Sequence, residues 1–522
     1  MFSPRYWSVS LPAWGMLLSV TLSTACSRPG PGDLPAVGEL ASVPRSALEG
    51  GISLKTGIGA SQRRAPTINP RAQQFYDQGL AYQASFDWVR SSRSFHQALA
   101  EDPQLAAAHL GLARAFLGLG APVDALRLAK RAVAQGENLD LPPRERHWLR
   151  LGELQMTAVA LNGGRRHRGH QAYLQAIEAF LEAYPDDLHA RVLRGNGDFS
   201  PDGWGQVGIE GSLAWYRRTL EIDADFFPAH HFLTHSLENL GRYEEALEHA
   251  RRYAELAPSV PHAHHMVAHI APRLNGWSEA RVKLEVADAL HRQSFDGDHL
   301  APAEDWHFGH NLRLLGVVNL YLRDLPSAEA SYRETFDLPY GGHRAGSYCA
   351  PWIEFLLLSK RFEEVLDAAE SCEERGSALA GVLGAAYSGE AVLALGRLEK
   401  AKADLSRAQA HLRDLLPTLG TGHSERSYGF TGQLAVDLLD LKIRLLDQGS
   451  EDTQGQLLAL AEYLAFGHSV DAWAKGWPRL GELANFAADA GKGQLASRLR
   501  ELRDLIRPSA NEAPESPGCH GG

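Results

Sequence analysis

Apolar residues recur at every third or fourth position through most of this chain, from Arg71 to about residue 506. Such a spacing places the apolar side chains on one face of an α-helix. Alanine is frequent, and glycine and proline stand where pairs of helices are expected to end. The segments 143–190 and 191–226 keep the helical spacing but contain insertions. The pattern therefore predicts an all-α chain built from pairs of helices.

The same pattern also recurs over a longer period, that of a repeat of about 34 residues. A repeat that starts at Ala72 carries small and aromatic residues at fixed places, namely Phe75, Gly79, Tyr82, Phe95, Ala98 and Pro103. Further repeats begin at Phe227 and Pro261. This arrangement resembles the tetratricopeptide repeat family over roughly residues 70–460. The resemblance implies a right-handed superhelix, an α-solenoid of helix-turn-helix repeats with a concave inner wall.

Composition divides the chain into six predicted segments. They are a signal peptide, a flexible tether rich in proline and glycine, repeats with insertions, histidine-rich central repeats, C-terminal repeats with a helical cap, and a disordered tail. In that order they cover residues 1–26, 27–68, 69–226, 227–345, 346–507 and 508–522. The polar stretch 291–305 is expected to be a loop that either covers the groove or is solvated.

Two histidine clusters repeat with the period of the fold. Positions 230 and 264, 231 and 265, and 235 and 269 are each separated by one full repeat. The resemblance implies that places 2, 5, 9 and 12 of the first helix line the concave wall, whereas place 4 packs between helices. His230 and His264 are therefore expected to be packing residues. The residues expected to line the groove are His231, His235, Glu238, His262, His265, His269, His310, Arg313, Glu354 and Glu390. The last two would make their part of the wall acidic.

Imidazole is a common metal ligand, and two histidines four residues apart on a helix can share one ion. A metal hypothesis, with zinc or manganese as the ion, rests on His231, His235, His265, His269 and His310. The alternatives are a groove that binds a peptide or an anionic ligand without metal, and a purely structural network. The chain contains no HExxH, GxSxG or phosphate-binding glycine motif, so no catalytic residue is assigned.

A narrower resemblance covers about residues 70–340. The chain is similar to a group of bacterial tetratricopeptide proteins with an HMxxHI motif at His231, His235 and Glu238, at His265-Met266 with His269-Ile270, and at His310-Asn311. It is more distantly similar to tetratricopeptide repeat protein 38. This chain departs from the bacterial group at Val267-Ala268, where that group has Pro-Ser. The resemblance implies no particular activity.

The amino terminus predicts export. One early charge, Arg5, precedes an apolar run, and the small residues Ser23-Thr24-Ala25 precede Cys26. The end of this segment resembles a bacterial lipobox, although Leu22 lies one place further from the cysteine than usual. The resemblance implies lipidation of Cys26 and anchoring to a membrane of the cell envelope. The alternative is ordinary cleavage that releases a soluble periplasmic or secreted protein.

Charge and cysteine content narrow the function classes. A net charge of −11 argues against nucleic acid as a partner. Cys349 and Cys372 could form a disulfide in an oxidising compartment or stay buried thiols. The leading hypothesis is a non-catalytic repeat protein of the envelope that binds a protein or peptide in its concave, histidine-rich groove. The alternative hypothesis is a metal-binding protein or metal-dependent enzyme that uses the histidine cluster.

Overall fold

The computed structural model describes residues 48–61, 63–161, 163–198, 206–419, 423–447, 449–466 and 470–506. All regular secondary structure within these ranges is helical, which confirms the all-α prediction. The predicted signal peptide, Cys26, the first part of the tether and the C-terminal tail lie outside the described residues. Among the described helices, none combines the length and apolar character needed to cross a membrane.

Within the described ranges, twenty-two α-helices longer than one turn follow one another. They are α1 Pro70–Ala84, α2 Trp88–Glu101, α3 Ala106–Gly118, α4 Pro122–Glu137, α5 Pro143–Ala160, α6 Gly163–Ala183, α7 Leu188–Asp198, α8 Gln206–Ile222, α9 Phe227–Asn239, α10 Tyr243–Leu256, α11 Pro261–Ile270, α12 Trp277–Asp298, α13 Trp306–Tyr321, α14 Leu325–Asp337, α15 Gly342–Leu358, α16 Phe362–Glu373, α17 Ala378–Ala394, α18 Leu398–Leu415, α19 His423–Asp447, α20 Glu451–Phe466, α21 Val470–Asp489 and α22 Gly493–Leu505. Each helix packs against its neighbours in the chain, as expected of a solenoid.

The central helix pairs keep the predicted period. Helices α9 and α11 begin at Phe227 and Pro261, and their partners α10 and α12 begin at Tyr243 and Trp277. Both intervals equal the length of one tetratricopeptide repeat. The central helix pairs therefore repeat at the interval that the sequence predicts.

Small residues let the helices of this array approach closely. Phe95 of α2 is fully buried between Gly79 of α1 and Gly111 of α3. A Cβ atom would come within 2.7 Å of the Phe95 ring at Gly79 and within 2.5 Å at Gly111. Glycine at both places therefore makes room for one aromatic side chain that ties two repeats together.

The first helix pair packs against helices that come much later in the chain. Helix α1 contacts α9, and Tyr253 of α10 donates a hydrogen bond to Ser85 Oγ over 2.7 Å. Arg90 of α2 forms a buried ion pair with Asp298, the last residue of α12. The turn 85–87, between α1 and α2, therefore lies beside the histidine-bearing helices.

The tether prediction is wrong for its second half. Leu48, Ile52 and Ile58 are buried in the main apolar core, because an extended segment with a few large side chains can pack against a helical surface without forming a helix. The Lys55 backbone N–H donates to Gln78 Oε1 over 2.7 Å, and Arg63 pairs with Glu145 over 2.9 Å. Residues 48–61 and 63–68 thus belong to the folded array.

The loop prediction for 291–305 is also largely wrong. Helix α12 continues to Asp298, and a short 3₁₀ helix, Pro302–Glu304, follows. His291 Nδ1 lies 2.8 Å from Asp305 Oδ2, and both side chains are buried. His291, Asp298 and Asp305 are buried in ion pairs, whereas Arg292, Asp296 and His299 are exposed on the surface of the helix and the turn after it.

The C-terminal helices cover part of the inner face. Helix α21 packs against α13 and α15, so the predicted cap also contacts the preceding repeats. Cys349 of α15 and Cys372 of α16 form a disulfide, which decides between the two alternatives for this pair.

Candidate metal centre

Three neighbouring helices carry the central histidines. His231 and His235 lie on α9, His262, His265 and His269 on α11, and His310 near the start of α13. Spacings of three and four residues direct side chains to the same face of a helix. The packing of α9, α11 and α13 brings these faces together.

The histidines form two groups of three. The first triad is His231, His235 and His262, and the second triad is His265, His269 and His310. Within each triad, one ring nitrogen from each histidine lies within 4.8 Å of the other two. Both triads therefore have an arrangement that could hold a metal ion.

The first triad is centred on His231. Its Nε2 lies 3.1 Å from His235 Nε2 and 3.0 Å from His262 Nε2. Its Nδ1 lies 2.6 Å from the carbonyl oxygen of Ala84, which can only accept a hydrogen bond. Neutral His231 therefore carries its proton on Nδ1 and directs a lone pair from Nε2 toward the other two rings.

Phe86 closes this triad on one side. Its ring centre lies 4.7 Å from that of His231 and 5.9 Å from that of His235. Phe86 has a backbone φ of 58°, in the left-handed region that bulky residues rarely adopt. The contacts of the turn 85–87 with α9 and α10 hold the residue in this conformation.

The second triad has two nitrogens that face each other at short range. His265 Nε2 lies 2.9 Å from His269 Nε2, and His269 Nε2 lies 3.4 Å from His310 Nε2. Asn311 Nδ2 donates a hydrogen bond to the carbonyl oxygen of Leu284, which fixes the orientation of the amide. Asn311 Oδ1 then lies 3.1 Å from His265 Nδ1 and accepts a hydrogen bond from it.

A carboxylate fixes the position of the proton on His269 in the same way. Its Nδ1 donates to Glu238 Oε1 over 3.3 Å. In their neutral forms, His265 and His269 therefore both carry the proton on Nδ1 and present lone pairs from Nε2 across a gap of 2.9 Å. Two lone pairs at this distance repel each other, and a cation that binds both removes the repulsion. A second partner on Nδ1 is also the usual arrangement around a metal-bound histidine.

The distances suit tetrahedral zinc. A Zn–N bond of about 2.0–2.1 Å places two tetrahedral ligand nitrogens roughly 3.3 Å apart. The nitrogen pairs given above lie between 2.9 and 3.4 Å apart. Two nitrogen pairs of each triad therefore match the spacing of tetrahedral ligands, and the third pair lies within 4.8 Å.

Burial keeps four of the six imidazoles neutral. It lowers the pKa of His231 to about 4 and holds the pKa values of His262, His265 and His310 well below the usual 6.5. Neutral imidazole is the form that binds metal, so four of the six side chains are ready to coordinate at neutral pH.

A cavity of about 220 Å³ opens beside both triads. Four of the six histidines line it: His235, His262, His269 and His310. The remaining wall includes the aromatic rings of Phe86, Trp88, Trp306 and Tyr348 and the guanidinium groups of Arg313 and Arg344. We call this space the triad cavity. An ion in either triad would have this cavity on one side, which leaves room for water or another small ligand.

The sequence-predicted packing histidines lie outside the triads. His230 Nδ1 lies 2.8 Å from His249 Nδ1, and His230 Nε2 donates to the carbonyl oxygen of Ala224. His264 Nε2 donates to the carbonyl oxygen of Pro258. The sequence-based metal set omitted His262, which completes the first triad. His307 also stacks on His262 with ring centres 4.4 Å apart.

Glu354 and Glu390 do not make an acidic groove wall, so that prediction is wrong. Helix α21 places Lys475 3.0 Å from Glu354 and Arg479 2.7 Å from Glu390. Lys442 of α19 also pairs with Glu390. Burial alone would raise the pKa of Glu354, but Lys475 and Arg479 lower it below its usual value. Both carboxylates hold the C-terminal helices in place.

The histidines also do not lie on an open wall. His231, His262, His265 and His269 are each at most 5% exposed, and part of their cover is the turn that carries Phe86. This contact joins residues far apart in sequence, which is why the repeat pattern did not predict it. A peptide that runs along the groove would find a pocket here and not a continuous histidine surface.

No family model and no curated protein matches this chain. Among solved structures, a tetratricopeptide repeat protein from Parabacteroides merdae has 13% identity and a TM-score of 0.29, over 52% of this chain and 94% of that one. The human IFIT1 dimer with m7Gppp-AAAA has 14% identity and a TM-score of 0.35, over 77% and 90%. Yeast Tom70 has 10% identity and a TM-score of 0.39, over 84% and 90%. At these scores the likenesses carry no argument about function.

Proposed function

We propose that this chain is a metal-binding helical-repeat protein in which each histidine triad holds one transition-metal ion. The observation that carries the proposal is the pair His265 and His269, whose Nε2 atoms lie 2.9 Å apart while both Nδ1 atoms donate to other groups. Six imidazoles and no directly coordinating carboxylate favour zinc over manganese, because manganese prefers oxygen ligands.

The triad cavity extends the proposal to chemistry at the metal. Three histidines and one open position are the ligand set of several catalytic zinc sites, where the ion lowers the pKa of bound water. Arg313 and Arg344 add positive charge to the cavity wall, so a substrate would be anionic. Glu238 acts through His269, whose ring it orients, and is a positioning residue.

The helical-repeat fold still supports a protein-binding function, but the buried histidines do not form the open groove that this hypothesis expects. Helical-repeat arrays commonly present surfaces to partners, and this chain has such a fold. The buried triads, however, are better suited to an ion than to a side chain of another protein, because their nitrogens converge on points within the array.

Metal content is the direct test of the proposal. The protein is purified without a histidine tag, dialysed against zinc and analysed by atomic emission, with two equivalents as the expected result. His265→Gln should reduce the content to about one equivalent and remove the share of the stabilisation by zinc that the second triad contributes. At 100 times the dissociation constant, one site contributes about 2.7 kcal/mol.

His264→Gln is the matched control, because His264 is the adjacent residue on α11 and is buried outside the triads. This variant should keep two equivalents of zinc. If wild-type protein retains no zinc and its melting temperature does not respond to the ion, the metal proposal fails. An equal loss of zinc in both variants would indicate a general effect on α11 and would also contradict it.

We also propose that the protein is exported and lipid-anchored through Cys26, with release after ordinary cleavage as the alternative. The disulfide between Cys349 and Cys372 supports an oxidising compartment. Cys26→Ser should move the protein from the membrane fraction to the soluble fraction. Unchanged partition would contradict the anchor.

A further inference from the structure

A second cavity, of about 200 Å³, lies next to the triad cavity. The two share Phe86, Trp88 and Gly118 in their walls. The lining of the second cavity is mostly apolar and includes Trp148, Phe226 and Phe232. Its size falls below the roughly 300–1,000 Å³ of pockets for drug-sized ligands. Such a space would suit a small molecule with one aromatic or branched apolar group.

One charged side chain, Arg114 of α3, stands in this apolar wall, and we call the space the Arg114 cavity. Arg114 is 8% exposed. Its Nε donates to Gln155 Oε1 over 3.1 Å, and its guanidinium lies 4.5 Å from the centre of the Trp148 ring. Its Nη2 has no hydrogen-bond partner, and within the described ranges no carboxylate lies at ion-pair distance from it.

The acidic groups in this part of the array have other partners. Glu145 pairs with Arg63, and Asp187 pairs with Arg63 and with Arg144. Tyr76 and Tyr173 also face Arg114, but burial raises the pKa of Tyr76 to about 12 and moves that of Tyr173 upward as well, so both are neutral. These neighbours therefore leave the charge of Arg114 uncompensated.

An uncompensated buried charge is unfavourable for folding. A buried ion without a partner costs several kcal/mol, and the same burial lowers the pKa of Arg114. An unbranched apolar side chain such as methionine would occupy most of the place at lower free energy. The guanidinium is therefore better explained by a ligand that brings the missing negative charge.

We infer that the Arg114 cavity binds a small apolar molecule with a carboxylate group, and that the carboxylate pairs with Arg114. A planar guanidinium can bind a carboxylate through two parallel hydrogen bonds. The aromatic rings then contact the apolar part of the ligand. The same chemistry occurs in a free carboxylic acid and at the C-terminus of a peptide.

Calorimetric titration tests this inference. The probes are 3-phenylpropanoate, its amide, which has the same shape without the charge, and a tetrapeptide that ends in phenylalanine. We expect either the free acid or the peptide to bind at least tenfold more tightly than the amide, because a charged hydrogen-bond pair contributes about 1.5–3 kcal/mol. Binding of the acid alone identifies a small-molecule site, and binding of the peptide alone identifies a C-terminus site.

Three variants complete the test. Arg114→Met should weaken the bound probe at least tenfold while the melting temperature of the free protein stays equal or rises. Leu117→Trp, a half-buried residue of the cavity wall, should block binding by filling the space. Arg127→Met is the control, since this side chain is 66% exposed on α4.

The inference is overturned if neither probe binds or if the amide binds as tightly as the acid. It is also overturned if Arg114→Met lowers the melting temperature and leaves binding unchanged, because Arg114 would then be structural. Each titration is repeated with and without zinc, so failure of the metal proposal leaves this result interpretable.

Discussion

Replacement of Arg90 by methionine should release the first helix pair from the histidine-bearing helices. Arg90 Nε lies 3.1 Å from Asp298 Oδ2, and its Nη1 lies 2.5 Å from Asp87 Oδ2. The side chains of Arg90 and Asp298 are each 3% exposed. This pair is the main charged contact between α2 and the end of α12.

The magnitude follows from what the substitution leaves behind. Asp87 and Asp298 would remain buried, and Lys55, at 29% exposure, would still pair with Asp298. Removal of one member of a buried ion pair typically costs about 3–5 kcal/mol. We therefore expect the free energy of unfolding to fall by about that amount in urea titrations followed by circular dichroism.

Two comparisons make the result specific. Arg71→Met removes an ion pair in which Arg71 is 62% exposed, and it should cost at most about 1 kcal/mol. The double variant Arg90→Met/Asp298→Asn should lose less unfolding free energy than the two single variants lose together, by at least about 1 kcal/mol. A loss below about 1 kcal/mol for Arg90→Met, or strict additivity, would refute the reasoning.

Three other predictions address different parts of the molecule. Burial lowers the pKa of His249 to about 4, so the unfolded state takes up a proton first as the pH falls. The free energy of unfolding should therefore decrease as the pH drops from 6.5 to 4. His249→Asn should reduce this loss by roughly 1–2 kcal/mol, allowing for partial exposure, in urea titrations of the zinc-free protein across that range. Gly111→Ala should cost about 1–3 kcal/mol in thermal unfolding, because the new Cβ would lie 2.5 Å from the Phe95 ring, and a neutral effect would contradict the packing. Cys349→Ser with Cys372→Ser should cost about 3 kcal/mol, as expected for a loop of 23 residues, and the wild-type protein in reductant should match the variant.

The repeat register accounts for most of the histidine site. Places 5 and 9 put His231 and His235 on one face of α9, and the same places on the next repeat put His265 and His269 on the same side. Helical periodicity is a local property, so a single sequence is enough to predict it. What it does not specify is how six imidazoles divide between two triads, since that depends on the separation and tilt of α9, α11 and α13.

Contacts between distant repeats could not be predicted. Phe86 and His231 are 145 residues apart in the sequence, and a local periodicity does not specify which distant helices come into contact. Lys475 and Arg479 lie four residues apart on α21, which places both cations on one helix face. That spacing could have suggested a buried acidic partner for this helix, but it would not have identified Glu354 and Glu390.

Composition misled the prediction at the amino-terminal side. Residues 27–68 are rich in proline, glycine and serine, which is typical of a spacer. Leu48, Ile52 and Ile58 are nevertheless buried. Irregular segments also pack when a few large apolar side chains fit into pockets between helices. The positions of those pockets depend on the tertiary structure and cannot be predicted from the sequence alone.

Anomalous X-ray scattering at the zinc edge, from crystals of untagged protein grown with zinc, tests the two-site metal proposal most directly. We expect two separate peaks, one about 2 Å from Nε2 of His231, His235 and His262 and one about 2 Å from Nε2 of His265, His269 and His310. Absence of both peaks, or zinc only on exposed surface histidines, would contradict the proposal.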